Sequence, residues 1–170
     1  GLSPCLKFVI GRTLTILSWD NPVTAFFRKS RKLRHSLGRP SRSDFVHFEV
    51  YAEPVLKLNH ITDGDLVSMI GNLVDNALEA TIQCESEKKK ISLRIFMEQE
   101  GRVCVVKLMN YFVTPPVFEK SGFITNKKNK EMHGIGIKSV KKTAGKYGGY
   151  LQCLVDNDKF SAILILPVKG

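Results

Sequence analysis

The chain has 170 residues, 43% of them apolar, which suffices for one domain with a sizeable core but not for two full domains. Its net charge of +10 is uneven, because residues 1–43 carry +8 and the remainder only +2. A uniformly basic domain would indicate nucleic-acid binding, whereas a basic segment before a nearly neutral domain indicates a juxtamembrane stretch or a solvated linker, so no specific nucleic-acid partner is predicted.

The N-terminal segment, residues 1–43, is predicted to precede the folded domain. Residues 5–19 are apolar, but two basic residues interrupt them and they are shorter than the ~20 residues of a membrane-spanning helix. The tail end of a membrane segment and a partner-binding helix are both open interpretations. Residues 28–42 are basic and contain Gly38 and Pro40, so we place a domain boundary near residue 43 and interpret the segment as a remnant of a membrane or dimerisation region.

The domain predicted over residues 44–170 begins with a strand and a helix. Residues 45–51 alternate between apolar and polar, as a strand does. A helix is predicted from about residue 63 to 83, and Thr62 with Asp65 fits the Ser/Thr-x-x-Asp/Glu start signal. The apolar face of this helix consists of Leu66, Met69, Ile70, Leu73, Ala77 and Ala80. Its polar face consists of Asp65, Ser68, Asn72, Asn76, Glu79 and Gln83.

A hairpin and a long loop follow. Residues 91–97 and 103–109 flank the sequence EQEGR and predict two antiparallel strands. Residues 110–132 show no regular period, and a loop of that length inside a domain is typical of a functional lid. Two further strands are predicted over residues 150–156 and 160–167, on either side of an Asn-Asp turn.

A second amphipathic helix is predicted after His133-Gly134-Ile135-Gly136, ending at Gly148 and Gly149. The order from residue 45 is then strand, helix, strand, strand, lid, helix, strand, strand. Hairpins interleaved with helices predict an α/β (α+β) two-layer sandwich, with a mixed sheet covered by helices on one face.

Asn72 and Asn76 stand out on the first predicted helix, because asparagine is a mediocre helix former. Four residues apart, they lie on one face, and both amides can point at one spot. Mg²⁺ prefers oxygen ligands and needs only one or two from the protein when ligand phosphates supply others. The alternative is a solvated polar face, which is the ordinary outer face of an amphipathic helix.

The second pattern is the pair Gly134 and Gly136. Two glycines before a helix let the backbone approach a ligand, and the helix N-terminus would aim free N–H groups at a phosphate. The preceding loop adds Lys127, Lys128 and Lys130, which could meet phosphate as point charges. A plain turn and a solvated lysine-rich loop are the alternatives.

Taken in order, GNLVDNALEA and TNKKNKEMHGIGIKSVKK resemble motifs of the GHKL (Bergerat-fold) ATPases, specifically the catalytic domain of sensor histidine kinases. They are similar to the peptide-pheromone (quorum-sensing) receptor branch, and the resemblance covers residues 45–168. It implies a Bergerat fold, ATP and Mg²⁺ as ligands, and transfer of the γ-phosphoryl group of ATP to a histidine in a two-component system. It also implies a response-regulator partner, and a homodimeric bacterial parent in the cell membrane with this domain in the cytoplasm.

The resemblance assigns roles to individual residues. Asn76 falls on the magnesium ligand and Asn72 lies one turn earlier, near the phosphates, so these two form the implied catalytic pair. Asn110 stands where the family has an aspartate that faces adenine, and the glycines that normally follow that aspartate are absent here. Lys127 matches the lysine of the lid.

The remaining implied contacts belong to the second glycine box, Gly134 and Gly136. His133 stands directly before this box. A structural role in closing the lid and a contact to the ligand are both open for it.

A phospho-accepting histidine is also expected ahead of this domain in the family. Arg34-His35 resembles the family's Arg-His-Asp sequence and makes His35 the candidate acceptor, but Ser36 replaces the acid. Gly38 and Pro40 interrupt the helix that the acceptor requires. A complete dimerisation hairpin does not fit, so autophosphorylation by this chain alone is not expected. The alternative function is a nucleotide-binding interaction module without kinase activity.

Overall fold

The structure is a computed structural model, and it describes residues 6–10, 46–53, 56, 58–119, 122–124 and 130–168. The elements in chain order are strands β1 (Leu6–Ile10) and β2 (Val46–Ala52), helix α1 (Asp63–Thr81), strands β3 (Lys90–Glu98), β4 (Val103–Tyr111), β5 (Val117–Glu119) and β6 (Gly122–Ile124), helix α2 (Lys130–Lys146), and strands β7 (Tyr150–Asp156) and β8 (Lys159–Pro167). A short 3₁₀ turn, Ser86–Lys88, precedes β3.

Six strands of the described chain form one sheet in the order β1-β2-β3-β4-β8-β7. The pair β2 and β3 is parallel, while the other neighbouring pairs are antiparallel. The predicted mixed sheet is therefore confirmed. The parallel pair is joined through α1, since parallel strands require a crossover connection.

Both helices contribute buried side chains to the core that covers one face of this sheet. Alternate strand residues point to that face because successive side chains on a strand alternate. The strand residues that are fully buried include Phe48, Ile91, Leu93, Ile95, Leu108, Leu164 and Leu166. From the helices, Met69, Ile70, Leu73, Val140 and Ala144 join the same core. The predicted α/β two-layer arrangement is confirmed.

The predicted start of α1 is confirmed by its cap. Thr62 is the N-cap residue, and its Oγ1 accepts a hydrogen bond from the Asp65 backbone N–H (3.2 Å). The helix ends at Thr81, two residues before the predicted end. The last turn closes with the Ile82 N–H donating to the Leu78 carbonyl (3.0 Å).

The prediction of an unstructured loop over residues 110–132 is wrong in three places. Strand β4 continues to Tyr111, β5 and β6 form a separate hairpin, and α2 begins at Lys130. The glycine pair therefore lies inside α2 rather than before it. The free N–H groups of this helix belong to its first turn, which begins at Lys130, so the prediction of a helix N-terminus after Gly136 is wrong.

The predicted end of α2 is confirmed. Gly148 has φ +74, which favours glycine, and the Gly149 N–H donates to the Ala144 carbonyl (2.9 Å). Gly149 lies so close to β8 that an added β-carbon would be 2.2 Å from the Ile165 carbonyl oxygen.

In the N-terminal segment, Leu6–Ile10 forms an edge strand against β2, so these five residues are not part of a helix. None of the helices in the described parts of the chain has the length and apolar composition needed to cross a membrane. His35 and Lys127 lie outside the described residues.

Candidate functional site

Helices α1 and α2 bring the two predicted motifs together. A β-carbon built on Gly136 would lie 3.4 Å from Asn76 Nδ2, 3.7 Å from Asn76 Oδ1 and 3.7 Å from Asn72 Oδ1. Both amides therefore approach the backbone of one glycine. Since glycine has no side chain, the two helices can come close to each other here.

Asn76 carries a polar atom without a partner. The residue is half-buried, but its Nδ2 is fully buried and has no hydrogen-bond partner within the described structure. An amide donor left unpaired in a protein interior costs about 1–3 kcal/mol. A ligand oxygen or an ordered water would satisfy this donor, whereas a solvated helix face would have exposed it.

Asn110 carries an unpaired acceptor, whereas Asn76 carries an unpaired donor. It is 1% exposed, and its Oδ1 has no hydrogen-bond partner among the described residues. Its Nδ2 donates to the Tyr111 carbonyl (2.9 Å), which also accepts from Thr81 Oγ1 (3.3 Å). Asn110 therefore lies under the last turn of α1. Thr81 in that turn is five residues after Asn76, which corresponds to about 7.5 Å along the helix axis.

The unpaired atoms of these two asparagines differ in the partner that each can bind. The unpaired N–H group of Asn76 can donate a hydrogen bond to an acceptor, such as an anionic oxygen. At Asn110 an unpaired carbonyl oxygen calls for a donor, such as an amino group. One elongated ligand with oxygens at one end and an amino group at the other would satisfy both.

The amide oxygens, rather than a cluster of acids, are the candidate metal ligands. The described residues contain no group of three or more His, Cys, Asp or Glu side chains that could hold an ion. A hard cation at this site would therefore need oxygens from its ligand and from water beside those of Asn72 and Asn76.

Other predicted site residues are placed only by their backbone or not at all. His133 and Gly134 lie in the first turns of α2, on the same helix as Gly136. For Lys127, as for His35, the prediction falls outside the described residues. The structure thus brings together Asn72, Asn76 and Gly136.

The far end of the interface between α1 and α2 carries a polar cluster that was not predicted. Asp65 Oδ2 accepts hydrogen bonds from Tyr147 Oη (2.5 Å) and Lys146 Nζ (2.6 Å). The Thr62 backbone N–H donates to Tyr147 Oη (3.4 Å). The bonds from Lys146 and then Tyr147 lower the pKa of Asp65 below its usual value.

Sequence reasoning missed this cluster because Asp65 also fits a helix start and Tyr147 fits a buried position. The sequence contained a signal, because the spacing is the same on both helices. Asp65 and Asn76 are eleven positions apart on α1, and Gly136 on α2 is eleven positions before Tyr147, which directly follows that helix. Burial of Asn110 was also missed. It could have been found from strand alternation, because Cys104, Val106 and Leu108 put residue 110 on the core face.

Comparison with known proteins identifies relatives of this fold. The family model of the GHKL domain matches residues 61–167. The structure is similar to the histidine kinase AdeS of Acinetobacter baumannii, with a TM-score of 0.60 and 12% identity, over 87% of this chain and 66% of that chain. This chain thus spans slightly less than two thirds of the AdeS structure.

Nucleotide-free forms of the catalytic domain of histidine kinase ThkA are also similar. One has a TM-score of 0.55 and 16% identity, over 88% of this chain and 92% of that chain. Another has a TM-score of 0.54 and 19% identity, over 86% and 90%. At these identities the likeness concerns the fold. No curated protein matches the sequence of this chain.

Proposed function

We infer, from the premise that this chain belongs to the GHKL domain family, that it is the Mg-ATP-binding catalytic domain of a sensor histidine kinase. In this proposal the domain positions ATP so that its γ-phosphoryl group is transferred to a histidine. The observation that carries the proposal is the approach of Gly136 to the amides of Asn72 and Asn76. Catalysis of phosphoryl transfer consists mainly of positioning and charge stabilisation, and a site made of amides and backbone can do both.

The residues present fit Mg-ATP in their polar needs. The unpaired Nδ2 of Asn76 would donate to a phosphate oxygen or to a water on the ion, while the Oδ1 of Asn76 is the proposed magnesium ligand. Asn72 would face the phosphates from one turn earlier. Bound Mg²⁺ would neutralise charge on the phosphate oxygens.

Adenine would be recognised at the other end of the site. The unpaired Oδ1 of Asn110 can accept a hydrogen bond from the exocyclic amino group of adenine. Guanine carries a carbonyl at that position, which would leave Asn110 Oδ1 facing another acceptor. Asn110 therefore favours adenine over guanine, since two facing acceptors leave both unpaired.

The lid residues and the acceptor remain part of the proposal. Lys127, His133 and Gly134 would close over the phosphates, and His35 is the candidate phospho-acceptor. The proposal also retains a homodimeric membrane parent of the peptide-pheromone receptor branch and a response-regulator partner. The assignment of His35 rests on the Arg34-His35 sequence, and the other assignments rest on the motifs at residues 71–80 and 125–142.

Stability measurements test nucleotide binding directly. We expect Mg-ATP at a hundredfold excess over Kd to raise the free energy of unfolding of the purified chain by about 2.7 kcal/mol. Asn76→Ala should remove most of this gain. Gln83→Ala, which removes an exposed amide just past the end of the same helix, is the matched control and should keep it. An unchanged wild-type unfolding curve in saturating Mg-ATP would refute the proposal.

Phosphoryl transfer needs its own measurement. Incubation with ATP labelled at the γ-phosphate should label the chain, or a separate histidine-bearing hairpin supplied with it, and Asn76→Ala should abolish the label. Loss of the label in His35→Ala would identify the acceptor. Binding of ATP without any labelled histidine would instead make the chain a nucleotide-binding module without kinase activity.

A further inference from the structure

Helices α1 and α2 contact each other at two points with equal spacing. Asp65 meets Tyr147 at one end and Asn76 approaches Gly136 at the other. Eleven residues separate the two contact residues on each helix. The helices therefore run antiparallel, and eleven residues are about three turns or 16 Å, so both contacts lie on the same helix faces.

The interface between these contacts is apolar and closely packed. On α1 the stripe from Asp65 to Asn76 passes through Met69, which is 1% exposed. On α2 the stripe from Gly136 to Tyr147 passes through Val140 and Ala144, both 0% exposed. Closely packed interiors transmit small displacements rather than absorbing them. A change in helix spacing at one end therefore alters the spacing at the other.

The contact at Tyr147 combines a buried ring with a charged partner. The residue is 8% exposed, and its hydroxyl donates to Asp65 while it accepts from the Thr62 backbone N–H. Lys146 reaches the same carboxylate oxygen of Asp65. Hydrogen bonds to a charged group are among the stronger ones in proteins. The start of α1 is thus tied to the end of α2 at a fixed separation.

We propose that Tyr147 is a positioning residue for the nucleotide site, acting through Asp65 to hold α1 and α2 at the separation that sets Gly136 against Asn72 and Asn76. This inference rests on the proposed function for the identity of the ligand. Tyr147 touches no part of the ligand in this scheme. Its effect is larger at the phosphate end of the site, where α2 itself contributes Gly136, than at Asn110, which belongs to β4.

Tyr147→Phe is the informative variant, because it keeps the buried ring and removes only the hydroxyl. Asp65→Asn removes the charged acceptor while leaving the backbone N–H that bonds to Thr62. Asp158→Asn is the matched control, since it weakens an ion pair with Lys88 (2.5 Å) that involves neither helix. The probes are Mg-ATP, which engages both ends of the site, and adenosine, which lacks phosphates.

We expect Tyr147→Phe and Asp65→Asn to raise the Kd for Mg-ATP by about threefold to thirtyfold, with the Kd for adenosine changed by less than about twofold. Asp158→Asn should leave both values unchanged. An equal weakening of both ligands would indicate a merely structural role and overturn the proposal. So would an unchanged ratio of the two Kd values, or the same shift in the control.

Amide hydrogen exchange on the unliganded chain provides a second readout that does not need nucleotide. Tyr147→Phe should speed exchange around residues 136–140, whereas Asp158→Asn should not. Faster exchange in a chain that binds no Mg-ATP would refute the proposed function but keep the coupling between the helix ends. Unchanged exchange in a chain that binds Mg-ATP normally would refute the coupling and keep the function.

Discussion

Gly136 on α2 faces the side chain of Asn76 on α1, so closely that a β-carbon at residue 136 would touch both atoms of that amide. The two residues are sixty positions apart in the chain and belong to different motifs. Their approach places an unpaired buried N–H group of Asn76 beside a residue that has no side chain. In the proposed site, the ligand takes the space that a side chain at residue 136 would fill.

Filling this space should therefore impair nucleotide binding more than folding. The β-carbon of Gly136→Ala would make ordinary contacts at 3.4 Å and longer, so the variant should fold. We expect it to raise the Kd for Mg-ATP about tenfold, which is about 1.4 kcal/mol, and Gly136→Val to raise it further. Isothermal titration calorimetry with Mg-ATP measures the effect.

Gly145→Ala is the control for this series, because it lies on the same helix and nothing lies within 4 Å of its added β-carbon. Removing a glycine from a helix stabilises it by up to about 1 kcal/mol. Gly145→Ala should be as stable as the wild type or more so, with the same affinity for Mg-ATP. Equal affinities in Gly136→Val and the wild type would contradict the proposed position of the phosphates.

Asn110→Leu should remove nucleotide binding while it nearly preserves the stability of the unliganded chain. Leucine branches at the same carbon as asparagine, although its methyl groups are larger than the amide atoms, and it removes an oxygen that is buried without a partner. The Tyr111 carbonyl keeps its bond from Thr81, so no new unpaired group arises. Removing the unpaired oxygen and overpacking the site have opposite effects, so we expect the free energy of unfolding without ligand to stay within about 1 kcal/mol of the wild type, and the stabilisation by Mg-ATP to be lost.

Urea denaturation with and without Mg-ATP measures both effects of Asn110→Leu. Thr81→Val is its partner control, because it removes the other bond to the Tyr111 carbonyl without changing Asn110. That variant should keep stabilisation by Mg-ATP. Full stabilisation of Asn110→Leu by Mg-ATP would exclude Asn110 from the adenine contact.

Gly149→Ala should lower the free energy of unfolding, and this effect does not involve the nucleotide site. Its added β-carbon would lie 2.2 Å from the Ile165 carbonyl oxygen, a backbone atom of β8 that cannot move without disturbing the sheet. We expect a loss of about 1–3 kcal/mol or more in the free energy of unfolding, measured by urea denaturation. Gly64→Ala, which meets nothing within 4 Å, should show no such loss.

Cys104 should make the domain sensitive to alkali. Burial in the core raises the pKa of its thiol from 9.0 to about 12. The folded chain therefore keeps this proton at a pH where the unfolded chain loses it, so stability is full below about pH 9 and falls as the pH rises towards 12. At pH 10.5 this thiol accounts for a loss of about 2 kcal/mol.

Cys104→Ala isolates that effect from other groups that titrate in the same range. The variant should be less stable than the wild type at pH 8, because it leaves a small cavity, and the difference should shrink by pH 10.5. Urea denaturation at both pH values provides the comparison. A constant difference would show that the Cys104 thiol does not lose its proton preferentially in the unfolded chain.

Local patterns in the sequence determined much of the fold. Apolar residues at helical spacing, the Thr62 cap and the glycines after Lys146 predict both helices, because these signals act over only a few neighbouring residues. Alternation and turn signals predicted β2, β3, β4, β7 and β8 for the same reason, whereas β1 was not predicted. The N-x-x-x-N motif and the glycine pair also identified the family that the matched domain confirms.

The tertiary structure decided which of these residues meet and which are buried. Gly134 and Gly136 were predicted to precede the second helix, since glycine disfavours helices, yet both lie inside α2, where Gly136 approaches Asn72 and Asn76. Only the tertiary structure shows that atoms of Asn76 and Asn110 lack partners and that Tyr147 bonds to Asp65, although strand alternation already places Asn110 on the core face. These features arise from contacts between residues far apart in the chain, and local propensity carries no information about such contacts.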